Sequence, residues 1–357
     1  MSGGQTRKAT WRWVYCAVTI VEKPNAAPPT TDAQGCRVMY LQSQYAAQPV
    51  ATGVAIVMTF RDTIGPQSHV TGAMMNARSG AVVPPARFIP LGAHITKRNA
   101  KNSELVRQRL GQPRREAYGP TEVEKLDIYR TDRPKAPIFL FIHGGAWLGG
   151  FARDHAFPAE MFVKAGAHYV VPDFIAIGAA NGDLRLMADQ VRRAIAWTYR
   201  NAATFDGDPD RLYIGGHSSG GHLCGVAMVT DWKNEFGLPA TLVKGGFCMS
   251  GMYDMKPVRL SKRGKYIHFT DEMEEAMSSQ RHLDLLRAQL MVSYGTDETP
   301  EFQRQNRDFA AAVAAAGKPV ELIVADSYNH PETGESLGNP YGPNGRAALA
   351  LMNLSSA

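Results

Sequence analysis

The 357-residue chain contains only four cysteines, Cys16, Cys36, Cys224 and Cys248, and none of them belongs to a CxxC pair or to a zinc-ligand spacing. This scarcity argues against both a disulfide scaffold and a cysteine-based zinc site. We therefore expect free thiols, buried at Cys224 and Cys248, and a cytoplasmic location in which thiols stay reduced.

Other features are also missing from the sequence. No apolar run is long enough to cross a bilayer, and no internal repeat is visible. No lysine follows the glycines between residues 215 and 221, which excludes a phosphate-binding P-loop. The histidines form neither an HxxE nor an HxH set. We expect no membrane or nucleic-acid partner, no metal and no cofactor.

Acidic residues are scarce in the first third of the chain. Residues 1–117 carry 15 Lys and Arg against 5 Asp and Glu, whereas the remainder carries 24 against 28. The net charge of +6 therefore comes from the N-terminal third and says nothing about an acidic substrate. Between Gln34 and Ser103 the only acidic residue is Asp62, and no sustained helical or strand period is present.

These differences predict two parts: an atypical basic extension over residues 1–98 and a catalytic domain over residues 99–357. The extension could be a targeting segment, or a weak secretory signal around residues 13–21. The alternative we favour is an upstream or misread coding stretch that does not pack as a domain.

From about residue 120, strand and helix patterns alternate, which predicts a mostly parallel sheet with helices on both faces, an α/β fold. Residues 122–130 have the in-out alternation of an edge strand. The further predicted strands are 136–142, 168–171, 211–214, 246–249, 289–294 and 319–324. The predicted helices are 159–165, 184–198 (with Asp183 as its N-cap), 221–228, 301–316 and 346–354.

Residues 216–220 read GHSSG and follow the strand predicted at 211–214. A nucleophile flanked by glycines at a tight strand-to-helix turn is the signature of an α/β-hydrolase. We expect Ser218 to be the nucleophile and the N–H of Ser219, at the start of the next helix, to face a developing oxyanion.

A second motif, HGGAW at residues 143–147, follows the unbroken apolar run 137–142. Backbone N–H groups of Gly144, Gly145 and Ala146 are the expected partners of Ser219 in an oxyanion hole. Trp147 is expected to line the acyl or aryl pocket, with core packing as the alternative.

A serine hydroxyl needs a base and the base needs an orienting acid, in the chain order serine, acid, histidine. His330 follows the last strand by a short loop, which is where the base belongs. His222 is too close in sequence to reach Ser218. His268 lies in a charge-dense segment, 261–281, that is typical of a lid, and His282 directly follows it. Asp297 and Glu298 both follow a strand, so either can be the acid.

Three segments, HGGAW at 143–147, GHSSGGHL at 216–223 and ETPEF at 298–302, resemble the kynurenine formamidase (arylformamidase) branch of the α/β-hydrolase superfamily. The similarity covers about residues 120–330. In that branch the acid lies two residues before Pro and four before Phe, which implies Glu298. The family more often has Asp as the acid and an apolar residue after the base, where this chain has Pro331. The segment with Tyr253 resembles one beneath the family's site and implies a structural or a pocket role.

The sequence thus predicts a cofactor-free serine hydrolase in which Ser218, His330 and Glu298 cleave a small ester or an aryl formamide through an acyl-enzyme. A carbamate or xenobiotic-ester hydrolase is one alternative, and a non-catalytic relative that binds a small molecule is another. Against the binder, every catalytic position is filled. The expected partner is a small-molecule ester or amide, and a homodimer is left open.

Overall fold

A computed structural model describes residues 92–355, which form one eight-stranded sheet in the order β1-β2-β4-β3-β5-β6-β7-β8. The strands are β1 (Arg114–Ala117), β2 (Lys125–Tyr129), β3 (Ala136–Ile142), β4 (His168–Pro172), β5 (Gly207–His217), β6 (Val243–Met249), β7 (Gln289–Gly295) and β8 (Val320–Ala325). The first two pairings, β1 with β2 and β2 with β4, are antiparallel, and all others are parallel.

Ten α-helices occur in the described residues and cover both faces of this sheet. They are α1 (Gly92–Leu110), α2 (Ala159–Ala165), α3 (Leu184–Asn201), α4 (Ser219–Met228), α5 (Trp232–Phe236), α6 (Met255–Arg259), α7 (Asp271–Met277), α8 (Pro300–Ala315), α9 (His330–Glu335) and α10 (Pro343–Leu351). The predicted α/β fold with a mostly parallel sheet is confirmed.

The central strand β3 shows why its sequence is apolar throughout. All seven residues are buried, because successive side chains point to opposite faces and both faces carry a core. Ile138, Leu140 and Ile142 belong to one core, and Phe139 and Phe141 belong to the other. Nothing polar is tolerated on either side until the strand ends at the glycine motif.

The prediction of an edge strand at residues 122–130 was wrong in its position. Strand β2 forms within that segment, but it pairs with β4 on one side and with β1 on the other. The outer strand β1 reads RREA, with half-buried and exposed side chains in alternation. A four-residue strand with three charged residues carries no apolar pattern, so its sequence gave no signal.

Helix α1 starts at Gly92, within the range expected to lack a helical period, and it crosses the predicted boundary at residue 98. Its fully buried apolar residues are Ile95 and Val106, and Leu110 packs half-buried against the core, which is too few positions for a visible period. The Ser103 hydroxyl fastens the helix to the fold by donating to the Asp154 carbonyl at 2.9 Å. Residues 1–91 lie outside the described residues, so the extension stays a prediction.

Cys224 and Cys248 are buried and unpaired as predicted, whereas Cys16 and Cys36 lie outside the described residues. Within residues 92–355, no helix combines the length and apolarity that a membrane crossing requires. The cytoplasmic location stays a prediction.

Backbone crowding at the turn after β5 generates the first test. A Cβ atom on Gly220 would lie 2.0 Å from the Ile142 carbonyl oxygen and 2.5 Å from that of His143, and neither can move without shifting β3. We expect Gly220→Ala to lower the free energy of unfolding by about 1–3 kcal/mol or more, measured by urea denaturation. Gly178→Ala is the matched control, because a Cβ there meets nothing within 4 Å. Equal midpoints for the two variants would contradict the packing described for this turn.

Candidate active site

Ser218 occupies the turn between β5 and α4 in a backbone conformation that is rare for a residue with a side chain, φ 60° and ψ −123°. The turn is held from behind by a hydrogen bond from the Ser218 N–H to the Met249 carbonyl at 2.9 Å. Its side chain is 8% exposed. The fold therefore presents this hydroxyl at the carboxyl end of the central strands, where α/β sheets bind their ligands.

The imidazole of His330 reaches the serine although it lies 112 residues further along the chain. Its Nε2 lies 2.8 Å from Ser218 Oγ. A proline at position 331 favours an extended backbone at the preceding residue, but His330 is the first residue of α9. A capping box between Asn329 and Glu332 starts the helix there, and proline is accommodated in a first helical turn because no helical N–H bond is required of it.

Glu298 lies behind the imidazole and is fully buried. Its Oε2 is 2.9 Å from His330 Nδ1, so Nδ1 carries the proton and Nε2 is left to accept from the serine. The other oxygen, Oε1, accepts from the Ser250 hydroxyl at 2.5 Å and from the Gly295 N–H at 2.9 Å. The neighbouring Asp297 is exposed and takes no part in this arrangement.

Burial alone would favour the neutral acid at Glu298. The attraction of His330 and the hydrogen bonds from His330, Ser250 and the Gly295 N–H outweigh that effect, so the pKa of Glu298 lies below its ordinary value. The carboxylate is thus ionised at neutral pH, as an acceptor for the imidazole N–H must be.

Two further side chains hold the backbone of His330. His217 Nε2–H donates to the His330 carbonyl at 2.8 Å, and the Thr333 hydroxyl donates to the same oxygen at 2.7 Å. Burial, and then the proximity of His330, lowers the pKa of His217 to about 3. His217 therefore stays neutral and positions the base without competing for its proton.

The glycine motif after β3 lies directly beside the serine turn. A Cβ on Gly144 would be only 3.2 Å from Ser218 Cβ, and the next three residues, Gly145, Ala146 and Trp147, have positive φ angles of 129°, 55° and 63°. Among the described residues, no acceptor is found for the N–H groups of Gly144, Gly145, Ala146 or Ser219. These four amides are unused by the fold, and Gly144 and Ser219 lie directly beside Ser218.

Trp147 and His222 pair with each other in the core. The Trp147 indole N–H donates to His222 Nδ1 at 3.1 Å, and His222 Nε2–H donates to the Met277 carbonyl at 3.0 Å. Both side chains are buried. The loop after β3, helix α4 and the end of α7 are thereby joined, and a pocket role for Trp147 stays a prediction.

Tyr253 is also buried. Its ring stacks on Phe309 with centroids 4.0 Å apart, and its hydroxyl donates to Asn306 Oδ1 at 3.2 Å. The same hydroxyl accepts from the Gly251 N–H at 3.1 Å. These contacts brace the segment after β6 that carries Ser250, while its pocket role, too, stays a prediction.

Residues 126–245 match the BD-FAE family model. A kynurenine formamidase of Danio rerio is 30% identical over 220 residues, which is 60% of this chain and 72% of the relative. The chain belongs to the kynurenine formamidase branch of the α/β-hydrolase superfamily. The esterase LipC of Mycobacterium tuberculosis is 27% identical over 233 residues, which is 62% of this chain and 58% of LipC.

The solved structure of a thermophilic esterase from Thermogutta terrifontis, Est2, superimposes with a TM-score of 0.54 at 19% identity. The match covers 68% of this chain and 91% of Est2, and it shows the shared fold. With curated relatives that are a formamidase and esterases, the chain is a hydrolase.

Sequence reasoning about this hydrolase missed Ser250, Thr333 and His217. Ser250 and His217 each lie at the carboxyl end of a parallel strand, a position that could have marked them. Thr333 is one helical turn after the base, a spacing at which side chains meet.

The buried His222 predicts how stability depends on pH. Burial lowers its pKa to about 4, whereas an unfolded histidine titrates near 6.5. Between pH 6.5 and 4 the unfolded chain binds a proton at this residue and the native chain does not. The contribution of His222 to stability is therefore complete above about pH 6.5 and falls towards pH 4, by at most about 1.4 kcal/mol per pH unit.

We expect His222→Gln to be less stable at pH 7 but to show a shallower loss below pH 6.5, measured by urea unfolding at each pH. Between pH 7 and 8 the curves of unfolding free energy against pH for the wild type and the variant should run parallel, because His222 is neutral there in both the native and the unfolded chain. Identical slopes from pH 6.5 to 4.5 would show that His222 does not resist protonation in the native state.

Proposed function

We propose that the chain is a serine hydrolase that cleaves small carboxylic esters or aryl formamides. Ser218 Oγ attacks the carbonyl carbon while His330 Nε2 takes its proton. The protonated imidazole then gives that proton to the departing alcohol or amine, and the acyl group stays on Ser218. Water, deprotonated by His330, then attacks the acyl-enzyme. The imidazolium returns this proton to Ser218 Oγ as the Oγ–acyl bond breaks, and the free acid leaves, which is formate when the substrate is a formamide.

The observation that carries the proposal is the continuous hydrogen-bonded path from Ser218 Oγ through His330 to Glu298, with distances of 2.8 Å and 2.9 Å. In this order the carboxylate fixes the imidazole tautomer and stabilises the imidazolium that forms during attack. The three residues follow β5, β7 and β8, so they meet at one edge of the sheet although 112 residues separate the serine from its base.

The unused amides next to Ser218 support an oxyanion hole. The N–H groups of Gly144, Gly145, Ala146 and Ser219 are the donors we assign to the oxygen of the tetrahedral intermediate. One such donor, placed beforehand in a site that excludes water, lowers a barrier by about 3 kcal/mol. The start of α4 adds partial positive charge at the same point.

The relatives supply the substrate class. The similarity to a kynurenine formamidase supports an aryl formamide as the substrate, and the similarity to esterases supports a small ester. Both are attacked at a carbonyl carbon by the same nucleophile, so one site serves either bond.

Removal of the nucleophile is the direct test. We expect Ser218→Ala to lower kcat at least about 10⁴-fold on both N-formylkynurenine and p-nitrophenyl acetate, with its unfolding midpoint preserved. A fluorophosphonate probe should label the wild type at Ser218 and leave the variant unlabelled. A folded wild-type protein that resists the probe and turns over neither substrate would support the non-catalytic alternative.

Two variants distinguish Glu298 from its neighbour Asp297 as the acid of the site. We expect Glu298→Gln to lower kcat by about 10³–10⁴-fold, because a neutral amide stabilises neither the tautomer nor the imidazolium. Asp297→Asn is the matched control and should keep most of the activity, since its side chain is exposed. The reverse ranking in a steady-state assay would overturn the assignment of Glu298.

A further inference from the structure

Arg263 lies in the segment that the sequence marked as a lid, within a short 3-10 turn, Lys262–Lys265. Its guanidinium carbon is 5.2 Å from the centroid of the Trp147 ring and 5.7 Å from that of Phe302. The cation therefore contacts two aromatic rings that come from opposite sides of the site.

Both rings belong to the surroundings of the reacting groups. The Phe302 ring is 4.2 Å from the His330 ring between centroids, and Trp147 directly follows Ala146. The lid turn also reaches this loop itself, because the Tyr266 hydroxyl donates to the Ala146 carbonyl at 3.2 Å. Arg263 thus contacts one ring, Phe302, that packs on the base, and another, Trp147, that belongs to the loop after β3.

Arg263 has no acidic partner. Across residues 92–355 its guanidinium makes neither a hydrogen bond nor an ion pair, and its Nη1 atom is buried. Other arginines of the same segment differ, because Arg259 pairs with Asp271 and Glu274, and Arg281 pairs with Glu274 and Glu275.

An unpaired cation in such a place is costly. Burial lowers the pKa of Arg263 below its ordinary value, although a guanidinium still carries its charge at neutral pH. The aromatic contacts offset part of this cost, but they give no acceptor to the N–H donors of the buried Nη1 atom. A carboxylate that reached this nitrogen would supply its acceptor and neutralise the charge of the guanidinium.

The other charged residues of this turn are also positive. Lys262 and Lys265 are exposed, and neither forms an ion pair with a described residue. Three unpaired cations within four residues create a positive field beside the site, and such a field raises the rate at which anions arrive.

We propose that Arg263 binds a carboxylate of the substrate, so that the preferred substrates are esters or aryl formamides that also carry a carboxylate. The inference rests on the hydrolase function proposed above and adds the substrate's charge to it. A planar guanidinium matches a carboxylate with two parallel hydrogen bonds, which a lysine does not reproduce.

Two pairs of substrates test the proposal on either side of the cleaved bond. Mono-p-nitrophenyl glutarate and p-nitrophenyl valerate differ in charge on the acyl side, and N-formylanthranilate and formanilide differ on the amine side. The quantity measured is the ratio of kcat/KM for the anion to that for the neutral partner, corrected for spontaneous hydrolysis.

We expect Arg263→Met to lower this ratio by about 10–100-fold in at least one pair, because hydrogen bonds to charged groups have that weight. Arg263→Lys should restore part of it. Lys262→Met is the matched control, which removes a charge from the same turn; at 0.15 M salt it should change the ratio by less than about threefold.

A ratio that stays constant in both pairs while Arg263→Met lowers all four rates would show a purely structural role and overturn the proposal. Should that variant fail to fold, Arg263→Gln and Arg263→Lys answer the same question. A wild-type enzyme that favours the neutral member of both pairs would also overturn it. The proposed function fails separately, through turnover of p-nitrophenyl valerate that survives Ser218→Ala.

Discussion

The ionised carboxylate of Glu298 is the constraint on which the site depends. It is fully buried, so its charge persists only because His330, Ser250 and the Gly295 N–H are in place. These groups come from α9, from the residue after β6 and from the end of β7. Loss of any of them would leave a buried charge short of a partner, which is among the costliest changes in a protein interior. The geometry that orients the imidazole is therefore the geometry that keeps the carboxylate charged.

Much of the fold was predictable because the sequence meets a strong constraint at each step. Strand β3 and helix α2 have the predicted bounds, since an apolar run and an apolar stripe closed by Gly166 are strong local signals for a strand and a helix. Strand β1 and helix α1 were missed for the opposite reason. Their stability comes from pairing with β2 and from contacts such as that of Ser103 with Asp154, which leave no periodic pattern in the local sequence.

The residues of the site likewise fall into those that the sequence indicated and those that it did not. Local motifs indicated Ser218, Ser219 and the glycine loop, while chain order selected His330. Residue patterns alone left Asp297 and Glu298 open, because both lie in the same loop, and only the family resemblance favoured Glu298. Thr333 lies one helical turn after the base, within reach of the same reasoning, whereas the roles of His217 and the unpaired Arg263 depend on segments distant in sequence. Spacing along a chain does not carry that information.

The order of these parts along the polypeptide has a consequence for biosynthesis. The serine leaves the ribosome 112 residues before the histidine that is proposed to activate it. At about 5–20 residues per second this gap lasts roughly 6–20 s. A nascent chain can thus assemble most of its sheet while its hydroxyl is still an ordinary alcohol, and reactivity arises only once the segment with His330 has been made.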